Sequence, residues 1–311
     1  MGCSVCHAGN NLPYAVPSRR PPDPSLFPYY RQNRQNLWLR FTEWWPRVPS
    51  SEVKYVVFII SGLGEHANRY DSIAVRLNRE GAACFSLDNV GSGGSEGCRL
   101  YVERFDHFVD DIEDFMAGIL ERYPELKGLP RVLLGHSMGG LIGFFTAVRA
   151  PAGFFDAVIL SGPAFSVAMN SPGPCMRKVL NFLSKTVPKM KLTRLNAKLV
   201  SYNTPVVELV KQDPYYSNEK LRARFLAEFL DAQDRAFVEV KKVIKEFPLL
   251  VIFGKDDKLC GLARAQEIFN LFPSSSKKMI IYPNSGHEVM TEVNRDIVLN
   301  DVVNFIKAHC K

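Results

Sequence analysis

The chain reads as an α/β fold: a mostly parallel central sheet flanked by helices, interrupted once by a helical insertion. Three observations predict it. Short apolar runs alternate with longer stretches of helical length along most of the chain. Several of these runs are apolar throughout, as strands covered on both faces are. The runs also end in turns rich in glycine, serine and acid, at the strand ends where open α/β sheets carry their chemistry. At 311 residues the chain suits one large domain with a full hydrophobic core.

Taken in order, residues 36–45 and 53–60 read as the first strands, and 71–79 as a helix after a glycine turn. Strand 82–87, helix 105–123, strand 132–134, helix 138–149 and strand 157–160 continue the alternation. It resumes with strand 249–253, helix 262–271, strand 279–282 and helix 293–307, an order that calls for helices on both faces of the sheet. Between residues 165 and 245 the alternation lapses, which marks an insertion. There Met176, Val179, Leu180, Leu183 and Val187 fall at helical spacing, with Arg177, Lys178 and Lys185 elsewhere and Phe182 off the stripe. Such a stripe packs on the main domain or meets a lipid surface, and spacing alone leaves both open.

Residues 131–140, Arg-Val-Leu-Leu-Gly-His-Ser-Met-Gly-Gly, place Ser137 between two glycines, after a short apolar run and before a helix-like stretch. This G-x-S-x-G spacing puts a serine on a tight strand-to-helix turn, with its hydroxyl exposed above the sheet. The N–H of Met138, in the first turn of the helix, then points at a developing oxyanion. A serine is a poor nucleophile unless a histidine takes its proton and a carboxylate orients that histidine. Both candidates follow in the chain order of hydrolases on open α/β sheets, each just past an apolar run. Asp256 and Asp257 compete for the acid, and Asp257 is the candidate; His287 is the base. His7, His107 and His309 follow no strand, and His66 and His136 sit beside other motifs.

The run 53–60 ends in Ser61-Gly62-Leu63-Gly64-Glu65-His66, a turn placed to give a second oxyanion donor from the Leu63 N–H. The next loop, residues 88–97, is also glycine-rich but lacks Walker A spacing and its lysine, so no phosphate cradle is expected.

Together Gly62 to Tyr70, Gly91-Ser92-Gly93-Gly94-Ser95-Glu96-Gly97, residues 133–140 and Asp257-Lys258-Leu259-Cys260 resemble the monoacylglycerol lipases of the serine hydrolase superfamily. The resemblance runs from about Leu39 to the C-terminus. It implies the α/β-hydrolase fold and hydrolysis of a monoacylglycerol to fatty acid and glycerol. It matches Ser137, Asp257 and His287 to the triad and Leu63 and Met138 to the oxyanion hole. Glu65 and Arg69 match polar positions at the glycerol end. Four positions depart: Ser61 and Ser92 stand where the family has histidines, Val210 where it has a tyrosine, and Met290 where a second histidine contacts glycerol. A thioether donates no hydrogen bond, so Met290 removes a polar substrate contact. A lysophospholipase or acyltransferase would carry the same triad, and a non-catalytic scaffold would have lost a member of it.

The implied layout is an N-terminal arm over residues 1–35, hydrolase core over 36–164 and 246–311, and a lid over 165–245. A formal charge of +7 without zinc spacing, RNP-like run or basic block argues against a nucleic-acid partner. Arg19, Arg20, Arg31 and Arg34 lie in or just after a proline-rich leader with too few apolar periods for a packed element. After removal of Met1, Gly2 is a candidate for myristoylation and Cys3 and Cys6 for palmitoylation, although the motif wants serine or threonine where Cys6 stands. Two such anchors would hold the protein at a membrane surface, where one is marginal. No secretory signal follows Met1, and no run reaches the roughly 18 apolar residues of a membrane-spanning helix. The seven cysteines are scattered and form no disulfide framework, which fits a reducing, cytoplasmic compartment. Cys98 and Cys260 are expected on accessible loops. Neither a metal nor a cofactor is implied.

Overall fold

The computed structural model describes residues 29–168, 172–194, 199, 201 and 203–310. Its strands are Tyr30–Gln32 (β1), Trp38–Trp44 (β2), Tyr55–Ile60 (β3), Ala82–Leu87 (β4), Arg131–His136 (β5), Ala157–Ser161 (β6), Lys191–Arg194 (β7), Lys220–Arg222 (β8), Leu249–Gly254 (β9) and Lys277–Tyr282 (β10). Eight form one sheet in the order β1-β2-β4-β3-β5-β6-β9-β10, while β7 and β8 pair separately. Only β1 and β2 run antiparallel to their neighbours in the large sheet; the rest pair in parallel. The helices are Asp71–Asn78 (α1), Asp106–Arg122 (α2), Met138–Arg149 (α3), Pro174–Thr186 (α4), Thr204–Gln212 (α5), Ala223–Glu239 (α6), Leu262–Leu271 (α7) and Arg295–His309 (α8).

Period-two alternation explains why the central strands are apolar at nearly every position. In β3, Val56, Phe58 and Ile60 join the core under α2 and α3, whereas Tyr55, Val57 and Ile59 join the one under α1 and α8. β6 and β9 divide the same way: Val158, Leu160, Val251 and Phe253 on one side, Ile159, Leu250 and Ile252 on the other. A strand covered on both faces gains from an apolar side chain at each step. The edges read differently, and β10 opens with Lys277 and Lys278, charges that discourage pairing with another chain. α3, buried from Met138 to Ala147, lies against the sheet at its middle.

Two parts of the layout went beyond the sequence pattern. The arm expected through residue 35 gives way to an edge strand, since Tyr30, Arg31 and Gln32 pair with Arg40, Leu39 and Trp38. Distant acids on α2 hold it. Asn33 Nδ2 donates to Asp111 Oδ1 at 3.1 Å, Arg34 forms a fork of two 2.7 Å bonds with Asp114, and Arg31 donates to the Asp114 carbonyl. Gly2, Cys3, Cys6, Arg19 and Arg20 lie outside the described residues.

Between β6 and β9 run α4, β7, α5, β8 and α6. α6 packs Phe225, Phe229, Ala232 and Ala236 into the main core, so the insertion is riveted at its C-terminal end. α4 behaves otherwise. Leu180 and Leu183 pack on Ala223 and Leu230 of α6, but Met176, Val179 and Phe182 are exposed, Phe182 at 66%. Among the described residues no helix is long and apolar enough to cross a membrane.

Phe115 of α2 lies fully buried against Phe41 and Phe58, ring centroids 5.6 and 6.2 Å away. Phe115→Ala should cost about 3–5 kcal/mol of stability. Ile244→Ala, at a side chain 94% exposed, should stay within about 0.5 kcal/mol. Urea unfolding of both variants checks the contrast, and equal midpoints would contradict the packing.

Candidate active site

Three strand ends deliver the groups singled out by the sequence to one small cavity. β5 ends at His136 and α3 begins at Met138, so Ser137 alone makes the turn. Its φ of 56° is a conformation that costs a non-glycine residue about 1–3 kcal/mol. Cross-strand bonds enforce it: Ser137 N donates to Ser161 O, and Ala164 N donates to Ser137 O, each at 2.9 Å. The flanking glycines answer to close approach. A Cβ on Gly139 would stand 2.1 Å from Ile60 O, and one on Gly135 would stand 2.3 Å from Gly139 O. Neither oxygen is free to step aside, because both belong to backbone.

Past β9, the Asp257 side chain is almost wholly buried. Its Oδ1 accepts from Leu259 N at 2.8 Å and Cys260 N at 3.0 Å, and its Oδ2 faces His287 Nδ1 at 2.7 Å. An ionised carboxylate only accepts, so Nδ1 carries the hydrogen and Nε2 is the basic nitrogen. Asp257 meets the imidazole, while Asp256 is exposed. Burial alone would push the His287 pKa down, but the hydrogen bond to the Asp257 carboxylate opposes it and holds the value above the ordinary 6.5.

Cys260 and Cys98 are both buried, which corrects the expectation of accessible thiols. A β-bridge between Val167 and Cys260 folds that loop inward and sets the thiol beside the catalytic pair, with a carboxylate oxygen of Asp257, the Cys260 sulfur and a ring nitrogen of His287 within 4.8 Å of one another. Burial pushes the Cys260 thiol up, so it stays neutral at neutral pH.

Gly62, Leu63, Glu65, His136, Ser137, Tyr216, Leu259, His287 and Glu288 line the cavity. Glu65 braces the loop after β3: Oε2 accepts from Gly62 N at 2.8 Å and from the Tyr70 hydroxyl at 2.7 Å, and Oε1 from Arg69 Nε at 2.9 Å. Arg69 opens instead onto an adjoining groove with His66, Asp213 and Thr291. Met290 lies away from the cavity, in the apolar core under α1 and α8 with Val289 and Val298. The branch to a methionine there fills a core position, which is why it presents no head-group contact. Val210 is buried on α5, and the aromatic ring at the cavity comes from Tyr216, with the Arg69 guanidinium 5.6 Å from its centroid.

His136, Glu288 and Tyr216 escaped the sequence reading. His136 was absorbed into the serine motif, and Glu288 hid beside His287, although a charge immediately after a buried histidine was the available signal. Glu288 Oε1 stands 3.7 Å from both Arg69 Nη2 and His136 Nε2. Burial opposes the charge on His136, but Glu288 and then Glu65 overcome it and raise its pKa to about 9. Burial likewise opposes ionisation of Glu288, and His136 and Arg69 reverse it, holding the carboxyl well below its usual range.

A match to the family described as serine aminopeptidase, S33 spans residues 51–294. The chain belongs to this family. The monoacylglycerol lipase of Mycolicibacterium smegmatis is 33% identical over 84% of this chain and 91% of that protein. The monoglyceride lipase of Homo sapiens is 32% identical over 81% of each. Among solved structures, the Paleococcus ferrophilus monoacylglycerol lipase superposes with a TM-score of 0.75 at 23% identity, covering 87% of this chain and 99% of that one. The α/β-hydrolase fold expected from the sequence is therefore the fold of this family, and the chain is a carboxylic ester hydrolase resembling the monoacylglycerol lipases.

Because the folded His136 pKa of about 9 exceeds the ordinary value near 6.5, its pairing with Glu288 stabilises the fold fully below pH 6.5. That contribution disappears as pH rises through about 9. Imidazole NMR should find His136 still protonated at pH 8; titration at or below 6.5 would contradict the pairing.

Proposed function

We propose that the protein hydrolyses monoacylglycerol to fatty acid and glycerol through an acyl-enzyme on Ser137. The observation that carries the reading is the 2.7 Å Asp257–His287 pair sharing a cavity with a serine on a strained elbow. Ser137 Oγ attacks the ester carbonyl as His287 Nε2 takes its proton. The tetrahedral oxyanion is held by the N–H groups of Met138, at the start of α3 where no intrahelical acceptor exists, and Leu63. His287 then hands the proton to the departing alkoxide, and glycerol leaves. Water activated by the same imidazole cleaves the acyl-enzyme and releases the fatty acid. Asp257 holds the imidazole in the required tautomer and stabilises the imidazolium between the two transfers.

The cavity of about 20 Å³ has room for little more than one water. A lipid ester needs more room than this, and residues 165–245 would supply it by moving as a lid. The exposed Met176, Val179 and Phe182 on α4 and Leu209 on α5 supply apolar surface for a lipid interface, beside Arg177, Lys178 and Lys185. We further propose a cytosolic enzyme held peripherally at membranes, with acylation at Gly2 and Cys3 or Cys6 as the second anchor.

Ser137→Ala should abolish monoacylglycerol hydrolysis while leaving the circular dichroism spectrum unchanged; retained turnover would overturn the assignment. Asp257→Asn should cost on the order of 10³–10⁴ in kcat, whereas Asp256→Asn should stay within a few-fold. Since the free base is the active form, kcat/KM on a soluble ester should rise with pH through a midpoint above 6.5. Phe182→Asp should lower turnover of vesicle-borne monoacylglycerol several-fold and spare a water-soluble butyrate ester; equal effects on both would remove the lid from the interface.

A further inference from the structure

Glu288 is the acid in the cavity with hydrogen-bonding capacity to spare. The other, Glu65, already accepts from Gly62 N, the Tyr70 hydroxyl and Arg69 Nε at 2.8, 2.7 and 2.9 Å. Glu288 is only 7% exposed and lines the same cavity as Ser137 and His287. Its Oε2 takes a 3.3 Å bond from the Thr291 hydroxyl, but the cations paired with Oε1 stand 3.7 Å off, beyond direct hydrogen bonding.

The balance of charge says what such a carboxylate would recognise. Glu65 and Glu288 carry two negative charges, Arg69 and protonated His136 carry two positive ones, and the Asp257 carboxylate lies behind a neutral His287, so the site has no net positive charge to draw in a phosphate. An alcohol hydroxyl needs an acceptor for its proton and a donor for its oxygen. Glu288 Oε1 offers the first, and His136, which lines the same cavity with Nε2 3.7 Å away, offers the second.

We propose that Glu288 is a specificity-determining residue, accepting hydrogen bonds from the free hydroxyls of a neutral polyol leaving group. The inference rests on ester cleavage at Ser137 as proposed above. A site built to bond a hydroxyl discriminates strongly against an ester that lacks one, because the buried polar groups then go unpaired.

The test compares two esters of one acyl chain, the 1-monoacylglycerol and the p-nitrophenyl ester, in the wild type, Glu288→Gln and Glu288→Asp. Both esters pass through the same acyl-enzyme, so a loss of folded protein cancels in the ratio of their kcat/KM values. The methyl ester, whose alkoxide needs the His287 proton as glycerol does but carries no free hydroxyl, should keep its rate relative to the p-nitrophenyl ester, and an equal loss there would overturn the proposal. Glu288→Gln, which keeps the shape and loses the charge, should lower the ratio of monoacylglycerol to p-nitrophenyl ester at least tenfold. Glu288→Asp, which keeps the charge and withdraws it by one methylene, should lower it at least threefold. A ratio unchanged within twofold in both variants, or restored by aspartate, would overturn the proposal. The wild type separates the two levels: turnover of the p-nitrophenyl ester without the monoacylglycerol refutes the substrate reading and this inference with it. Turnover of both esters with a constant ratio refutes only the role of Glu288.

Discussion

The approach of α3 to β3 and β5, backbone against backbone, sets the terms for everything else in the molecule. With Ile60 O little more than 2 Å from where a Gly139 side chain would begin, the helix starts one residue after the strand ends. No ordinary loop fits in that space. Ser137 is therefore forced into its positive-φ turn and held there by bonds from Ser161 and Ala164. The strain is confined to one residue and opposed by a fully buried helix, and this keeps the hydroxyl fixed at the sheet's carboxyl edge without a mobile loop. The other strand ends then need only reach the same edge, which the parallel order of β3, β5, β6 and β9 guarantees.

Around that fixed point the protein buries an unusual amount of charge. Isolated, a buried Glu288 or His136 would neutralise itself, since desolvation outweighs any distant attraction. Together with Glu65 and Arg69 they form a set in which each charge has an opposite one nearby, and the pKa values of Glu288 and His136 move toward the ionised form. A buried pair of this kind adds little to net stability over an apolar core, but breaking it is costly. Its value lies in presenting ionised, oriented groups beside the nucleophile in a cavity too small for bulk water. The Asp257–His287 pair is a separate device: two backbone amides aim the carboxylate, and the carboxylate fixes the tautomer.

The insertion divides its apolar surface between two tasks. α6 spends its aromatic face on the main core, while α4 keeps only Leu180 and Leu183 inward and leaves Met176, Val179 and Phe182 in solvent. Spacing alone left packing and lipid contact as alternatives for the α4 stripe, and the structure shows packing for Leu180 and Leu183 and exposure for Met176, Val179 and Phe182.

Much was legible beforehand because it is written locally. Continuous apolar runs marked β3, β4, β6 and β9, helical stretches marked α3 and α7 to the residue, and the glycines around Ser137 announced a close approach before the neighbour was known. The order serine, acid, histidine told of strand ends because sheet topology conserves that order. The edge strand at Tyr30 was not legible, since three residues have no period and the acids that hold the segment lie far off in the chain, on α2. Nor did local sequence separate Asp257 from Asp256, bury Cys260, turn Met290 into the core or supply Tyr216 in place of Val210. Sequence by itself determined the sheet, the elbow and the chemistry of an ester hydrolase, because backbone sterics and strand periodicity act over a few residues. Tertiary structure decided which carboxylate meets the imidazole and which charges share the cavity, because desolvation and Coulomb energy depend on distances between segments far apart in the chain.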